Sequence, residues 1–76
     1  MAEVVELTAH ADCRAVNTPI RHMNLPRGAL VAAVVDGNKV VIPRGDDEVK
    51  ATNRVILLVT PQAQRGVERL FRSRRG

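Results

Sequence analysis

The apolar residues of this chain fall in short runs between turn-forming residues, a pattern of strands rather than of long helices. Val4 to Ala9 reads as a first strand, its start set at Glu3 or Val4, and its mixed pattern suits a sheet edge. Ala29 to Val35 is an unbroken apolar run, and Arg54 to Val59 is nearly another. Runs of this kind belong to strands covered on both faces. Between them, Asp36-Gly37-Asn38-Lys39 is a hairpin signal, because Gly37 and Asn38 both tolerate positive φ. Lys39 to Ile42 returns as the second hairpin strand, and Pro43 stops it by removing a backbone donor. Leu25-Pro26-Arg27-Gly28 fits a β-turn with Pro in the second position and Gly in the fourth.

Two segments carry helical signals. Thr18 offers an N-cap hydroxyl, Pro19 suits the first helical position, and Ile20 and Met23 share a face. This short helix ends near Leu25, because Pro26 disfavours helical geometry in the residue before it. Near the C-terminus, Thr60 caps and Pro61 opens a helix whose Ala63, Val67, Leu70 and Phe71 form one apolar face. Gly66 weakens it, and the close approach of another element would explain a glycine there. His10 to Asn17 and Gly45 to Asn53 are loops, the second anchored by Val49. The expected fold is α+β: a small antiparallel or mixed sheet of about four strands in the order β-α-β-β-β-α, with two helices packed on it.

Length and composition narrow this further. A chain of 76 residues is one domain with a small core, here built from Val, Ile, Leu and Ala because Phe71 is the only aromatic residue. One cysteine allows no internal disulfide, so a subunit interface is the expected source of added stability. The net charge is +4, and Arg65, Arg69, Arg72, Arg74 and Arg75 face only Glu68 in the last twelve residues, with 72–76 forming a basic tail. Such a tail complements a helix C-terminus or meets an acidic surface. With no aromatic residues interleaved to stack on bases, nucleic acid is the weaker reading. No apolar run approaches the roughly 20 residues of a membrane span. The N-terminus lacks a signal-peptide pattern, so a cytoplasmic domain is expected, read as a fragment of something larger.

Catalytic machinery is not legible. Cys13, His10 and His22 match no Cys–His signature, and with Asp12 they match no closed zinc spacing. Asp46, Asp47 and Glu48 lack the alternate spacing of a calcium loop and read as a solvated turn whose first carboxylate caps backbone amides. No glycine-rich phosphate loop or Walker lysine occurs. The expectation is a protein that is not an enzyme.

Taken in order, Leu25-Pro26, Ala29–Val35, Val40–Ile42, Pro43-Arg44-Gly45-Asp46, Val49, Arg54–Val59 and the Pro61 helix resemble the C-terminal regulatory domain of TrkA-type potassium-transport proteins, the TrkA-C or RCK-C domain. The resemblance covers nearly the whole chain. It implies a cytosolic, homodimeric module peripheral to the inner face of the membrane, acting on a membrane-embedded potassium transporter subunit through a small-molecule effector. The NAD- or ATP-binding domain that usually precedes the module is absent from this sequence, and no cofactor is expected in this chain.

Within the resemblance, a ligand pocket is expected along the hairpin and the Pro43–Asp46 corner, with Asp36, Asn38, Arg44 and Asp46 as candidate ligand-binding residues. Arg44 offers a charged donor fork, and Asp46 would accept the backbone amides that shape the corner. Asp36 stands where the family often has Arg, so cyclic di-AMP, one ligand known in such domains, would meet repulsion. The family's usual Gly before the first helix is Asn17, which also adopts left-handed geometry. The usual Gly-Asp before the last strand is Thr52-Asn53, which keeps a turn-forming side chain and loses a charge. Two alternatives remain open: a sensing module fused to another transporter or a transcription regulator, and a small basic nucleic-acid-binding module.

Overall fold

The computed structural model describes residues 1–75; Gly76, the last residue of the basic tail, lies outside them. The chain forms β1 (Glu3–Thr8), β2 (Ala29–Asp36), β3 (Lys39–Val41), β4 (Arg54–Val59) and one α-helix, α1 (Gln64–Phe71). All pairings in the sheet are antiparallel and the strand order is β1-β4-β2-β3. The α+β architecture matches the sequence reading, and β1 takes the expected edge.

The first helical segment shrinks to a single 3-10 turn, Ile20–His22, with Pro19 at its N-cap. Thr18 does not cap it; its hydroxyl donates back to the Arg14 carbonyl at 3.1 Å. The segment is trapped between Pro19 and Pro26, and the Ile20 and Arg21 amides donate outward to Asp47 and Gly45 carbonyls, both at 3.0 Å. A helix has no room to propagate there. The C-terminal helix likewise starts with a 3-10 turn, Pro61–Ala63, entered from Thr60 without a side-chain cap bond.

The turn before β2 is shifted by one residue from Leu25–Gly28. The Ala29 amide donates to the Pro26 carbonyl at 3.1 Å, which places Gly28 third in the turn with φ of 92°. Only glycine adopts that geometry freely, and it is the position a type II turn reserves for it. At the hairpin, Gly37 alone is left-handed (φ 60°) and Asn38 is not. One positive φ at the first central residue fits a II′ turn, the other hairpin option.

The core lies on one side of the sheet. Val55, Leu57 and Val59 of β4 point into it beside Val31 and Val34 of β2. Ala63, Val67 and Phe71 cover this face from the helix side, and Ala9, Cys13, Ala15, Met23 and Val49 complete the cover from loops. Cys13 is thus a buried core residue. Gly66 fits its expected reason, since a Cβ there would stand 3.1 Å from the Pro26 ring.

Loops substitute for a second helix because they are stitched down by backbone bonds. Asn17 donates to the Val49 carbonyl at 2.9 Å, and Ala9 and Thr52 exchange with Asn53 and Ala9 carbonyls at 2.8 Å each. Asn17 is left-handed at φ 63°, as its side chain permits, and Asn53 Oδ1 accepts the Lys50 amide at 2.9 Å. Thr52, a β-branched residue, is also left-handed at φ 71° and exposed. That geometry costs a non-glycine residue about 1–2 kcal/mol. Thr52→Gly is therefore expected to stabilise the fold by up to ~1 kcal/mol after glycine's own entropy is subtracted. Urea melts of the two proteins check this, and a lower midpoint for the variant would refute it.

The opposite side of the sheet is largely uncovered. Cross-strand register aligns Val4, Leu58 and Leu30 in one row, and these are 72%, 40% and 58% exposed. Val40 and Ile42 extend the exposed apolar surface at the β3 end. A bulge between Val31 and Ala33 resets the alternation in β2 and turns Ala33 and Val35 to this side, opposite Ile56 and Arg54. The expectation that β2 and β4 are buried on both faces is met along the core face and, on the other, only at Ala33 and Val35, each 8% exposed, because one chain supplies a single full covering layer.

Candidate ligand-binding site

The hairpin and the loop after Pro43 enclose a cleft of about 210 Å³ on the core side of the β2–β3 edge. Each wall has a local cause. Asp36 and Lys39 face each other across the hairpin, fixed by the Val34–Val41 and Val35–Val40 pairings behind them. Pro43 ends β3 and turns the chain back. Asp47, Glu48, Lys50 and Asn53 then come from the loop that Val49 anchors in the core.

The corner is shaped by a different carboxylate from the one expected. Asp47 Oδ2 accepts the Arg44 amide at 2.7 Å, and the Asp47 amide donates to the Arg44 carbonyl at 3.0 Å. Asp46 instead pairs with Arg21 Nη1 across the surface. The reason is tertiary: the Arg21 amide is held on the Gly45 carbonyl, which lays the Arg21 side chain beside Asp46. This pair is 59% and 78% exposed and adds little stability. Lys50 Nζ bridges Glu48 Oε1 at 3.0 Å and Asn17 Oδ1 at 3.3 Å, closing the loop against the segment before the 3-10 turn.

Of the four candidate residues, Asp36 lines the cleft, while Asn38, Arg44 and Asp46 do not. Asn38 sits exposed in the hairpin turn, and Arg44 and Asp46 are exposed on the corner. Sequence reasoning missed Lys39, Asp47, Glu48 and Lys50 as lining residues. Lys39 was recoverable, since a two-residue turn puts it opposite Asp36; the other three depend on how the loop folds back. The cleft offers carboxylates and ammonium groups side by side, suited to a ligand carrying both donors and acceptors. It holds no nucleophile paired to a base. Among the described residues, no group of three or more His, Cys, Asp or Glu side chains converges as a metal site.

Comparison with known proteins places the chain. Residues 4–72 match the TrkA-C domain family. The chain is 38% identical over 71 residues to a Trk system potassium uptake protein TrkA homolog of Methanosarcina mazei, covering 93% of this chain and 16% of that protein. It is 39% identical to the Trk system potassium uptake protein TrkA of Halomonas elongata, covering 92% of this chain and 16% of that protein. It is 33% identical to a TrkA homolog of Pyrococcus abyssi, covering 97% of this chain and 33% of that protein. The chain therefore spans a sixth to a third of these relatives' lengths. It belongs to the TrkA-C domain family.

Proposed function

We propose that this TrkA-C domain is a non-enzymatic regulatory module of a potassium uptake system, acting as a homodimer that responds to a small-molecule effector. The observation that carries the reading is the bare apolar face of the sheet. Strands patterned for burial on both sides leave Leu30, Leu58 and Val4 in water unless a second layer covers them. A second copy suits this role. An ion pair on the face, Arg54 with Glu6 at 3.1 Å, is internally neutral, so two copies meet without net repulsion there. No described helix is long and apolar enough to cross a membrane. In this reading the module works from the cytoplasmic side, and the transporter subunit supplies the membrane passage.

The effector site in this reading is the cleft beside the hairpin, with Asp36 on its wall and Asn38, Arg44 and Asp46 on the exposed turn and corner next to it in the chain. An effector gates transport only by its difference in affinity between two states of the assembly. Asp36, Asp47 and Glu48 outnumber Lys39 and Lys50 on the walls, which disfavours a dianionic dinucleotide. A thermal-shift screen of nucleotides tests this part. An effector at a hundred times its dissociation constant adds about 2.7 kcal/mol, and Arg44→Ala reduces the shift. Cyclic di-AMP is expected to give no shift with this chain and a shift with Asp36→Arg. A cyclic di-AMP shift in the unmodified chain would reverse the assignment of Asp36.

A further inference from the structure

We infer that the arginines around the C-terminal end of α1 form a binding site for a phosphate-bearing anion, separate from the hairpin cleft and from the bare sheet face. A cavity of about 380 Å³ lies here and is lined by Arg14, Arg69, Leu70, Arg72, Ser73 and Arg74. Four of its six lining residues are arginines and none is acidic; one carboxylate, Asp12, borders it through the Ser73 hydroxyl, which donates to Asp12 Oδ2 at 3.1 Å.

Arg69, Arg72 and Arg74 are close in sequence, but Arg14 arrives from the loop after β1. The Ala15 amide donates to the Leu70 carbonyl at 3.1 Å, and the His10 amide donates to the Phe71 carbonyl at 3.1 Å. These bonds fasten the loop across the helix end and set Arg14 facing the helix arginines. They also weaken the ordinary reason for such a cluster. Arginine near a helix C-terminus answers the exposed carbonyls and the dipole. Here the Glu68, Leu70 and Phe71 carbonyls already accept backbone amides, from Arg72, Ala15 and His10.

None of the four makes an ion pair within 4.0 Å among the described residues, whereas Arg21, Arg54 and Arg75 each do. Four like charges with a single bordering carboxylate, itself paired to Arg75, repel, and a multivalent oxyanion relieves that repulsion while matching the guanidinium fork. The cavity adjoins a second recess of about 320 Å³ that shares Arg14, Leu70 and Arg74. The groove is thus longer than a single phosphate, which fits pyrophosphate or the phosphodiester of an anionic lipid headgroup. It lies on the helix side of the sheet, so a dimer formed through the bare face leaves it open.

Isothermal titration of the 76-residue chain with inorganic pyrophosphate, and co-sedimentation with phosphatidylcholine vesicles with and without phosphatidylglycerol, test the inference. The expected result is saturable binding in at least one arm, weakened about tenfold or more by Arg14→Gln with Arg72→Gln and unchanged by Arg27→Gln, an exposed arginine outside the cavity. Pyrophosphate binding assigns a soluble phosphate; binding only to phosphatidylglycerol vesicles assigns a headgroup. The inference is overturned if neither probe binds, or if Arg27→Gln weakens binding as much as the cavity variants. Tighter binding to single-stranded oligonucleotide than to either probe, equally lost in the cavity variants, would replace it with a nucleic-acid site. Circular dichroism of each variant confirms that the fold is kept.

Discussion

Phe71→Ala is expected to destabilise the domain by about 3–5 kcal/mol, a large share of what so small a core can supply. Phe71 is the sole aromatic of the chain and is only 2% exposed. Its ring sits at the end of α1 in the same cluster as Val55 and Leu57, and its carbonyl receives the His10 amide. Truncation therefore opens a cavity where helix, sheet and the first loop meet, and the loop cannot collapse into it without giving up its bonds to the helix end. Phe71→Leu refills most of the volume and should retain most of the stability. Equilibrium urea unfolding checks both, and a loss below about 1 kcal/mol for Phe71→Ala would show that the helix does not hold the sheet as described.

Gly28→Ala is the second large loss, expected at about 2–4 kcal/mol, although it adds a single methyl group. Two costs coincide. The residue needs a φ of 92°, which an L side chain rarely adopts, and its Cβ would collide with the Thr60 hydroxyl and stand 3.2 Å from the Thr60 methyl. Thr60 cannot easily move, because it is β-branched and its amide is bonded to the Gly28 carbonyl at 2.9 Å. This contact joins the start of β2 to the end of β4 and to the entry of α1. Gly37→Ala makes a useful comparison: it shares the positive φ but meets nothing within 4 Å, so it isolates the backbone term. Equal melting temperatures for the two variants would contradict the clash.

The strands were legible because local chemistry and burial agree in them. Apolar runs bounded by Pro26-Arg27-Gly28, by Asp36-Gly37 and by Pro43 leave the chain few other options. Phe71 and its partners on α1 were legible from spacing alone. The losses were all tertiary. Nothing in residues 17–25 shows that Ile20 and Arg21 spend their amides on the 45–47 loop, which cuts the expected helix to one turn. Nothing in the Gly45-Asp46-Asp47 order says which carboxylate takes the Arg44 amide, because Arg21 decides it from 25 residues away. Arg14 joins the C-terminal arginines through backbone bonds of its neighbour, a placement no sequence spacing encodes. The bare sheet face was half visible: the pattern asked for two covers, and a chain this short has material for one.

That face also gives the account its most direct test. Sedimentation velocity of the chain across a wide concentration range should show a monomer–dimer equilibrium in which the dimer dominates at high concentration. Leu58→Glu, which places a carboxylate on the exposed side of β4 and leaves the core side untouched, should sediment as a folded monomer throughout. A strict monomer for the unmodified chain at every concentration, or an undiminished dimer for Leu58→Glu, would contradict the account.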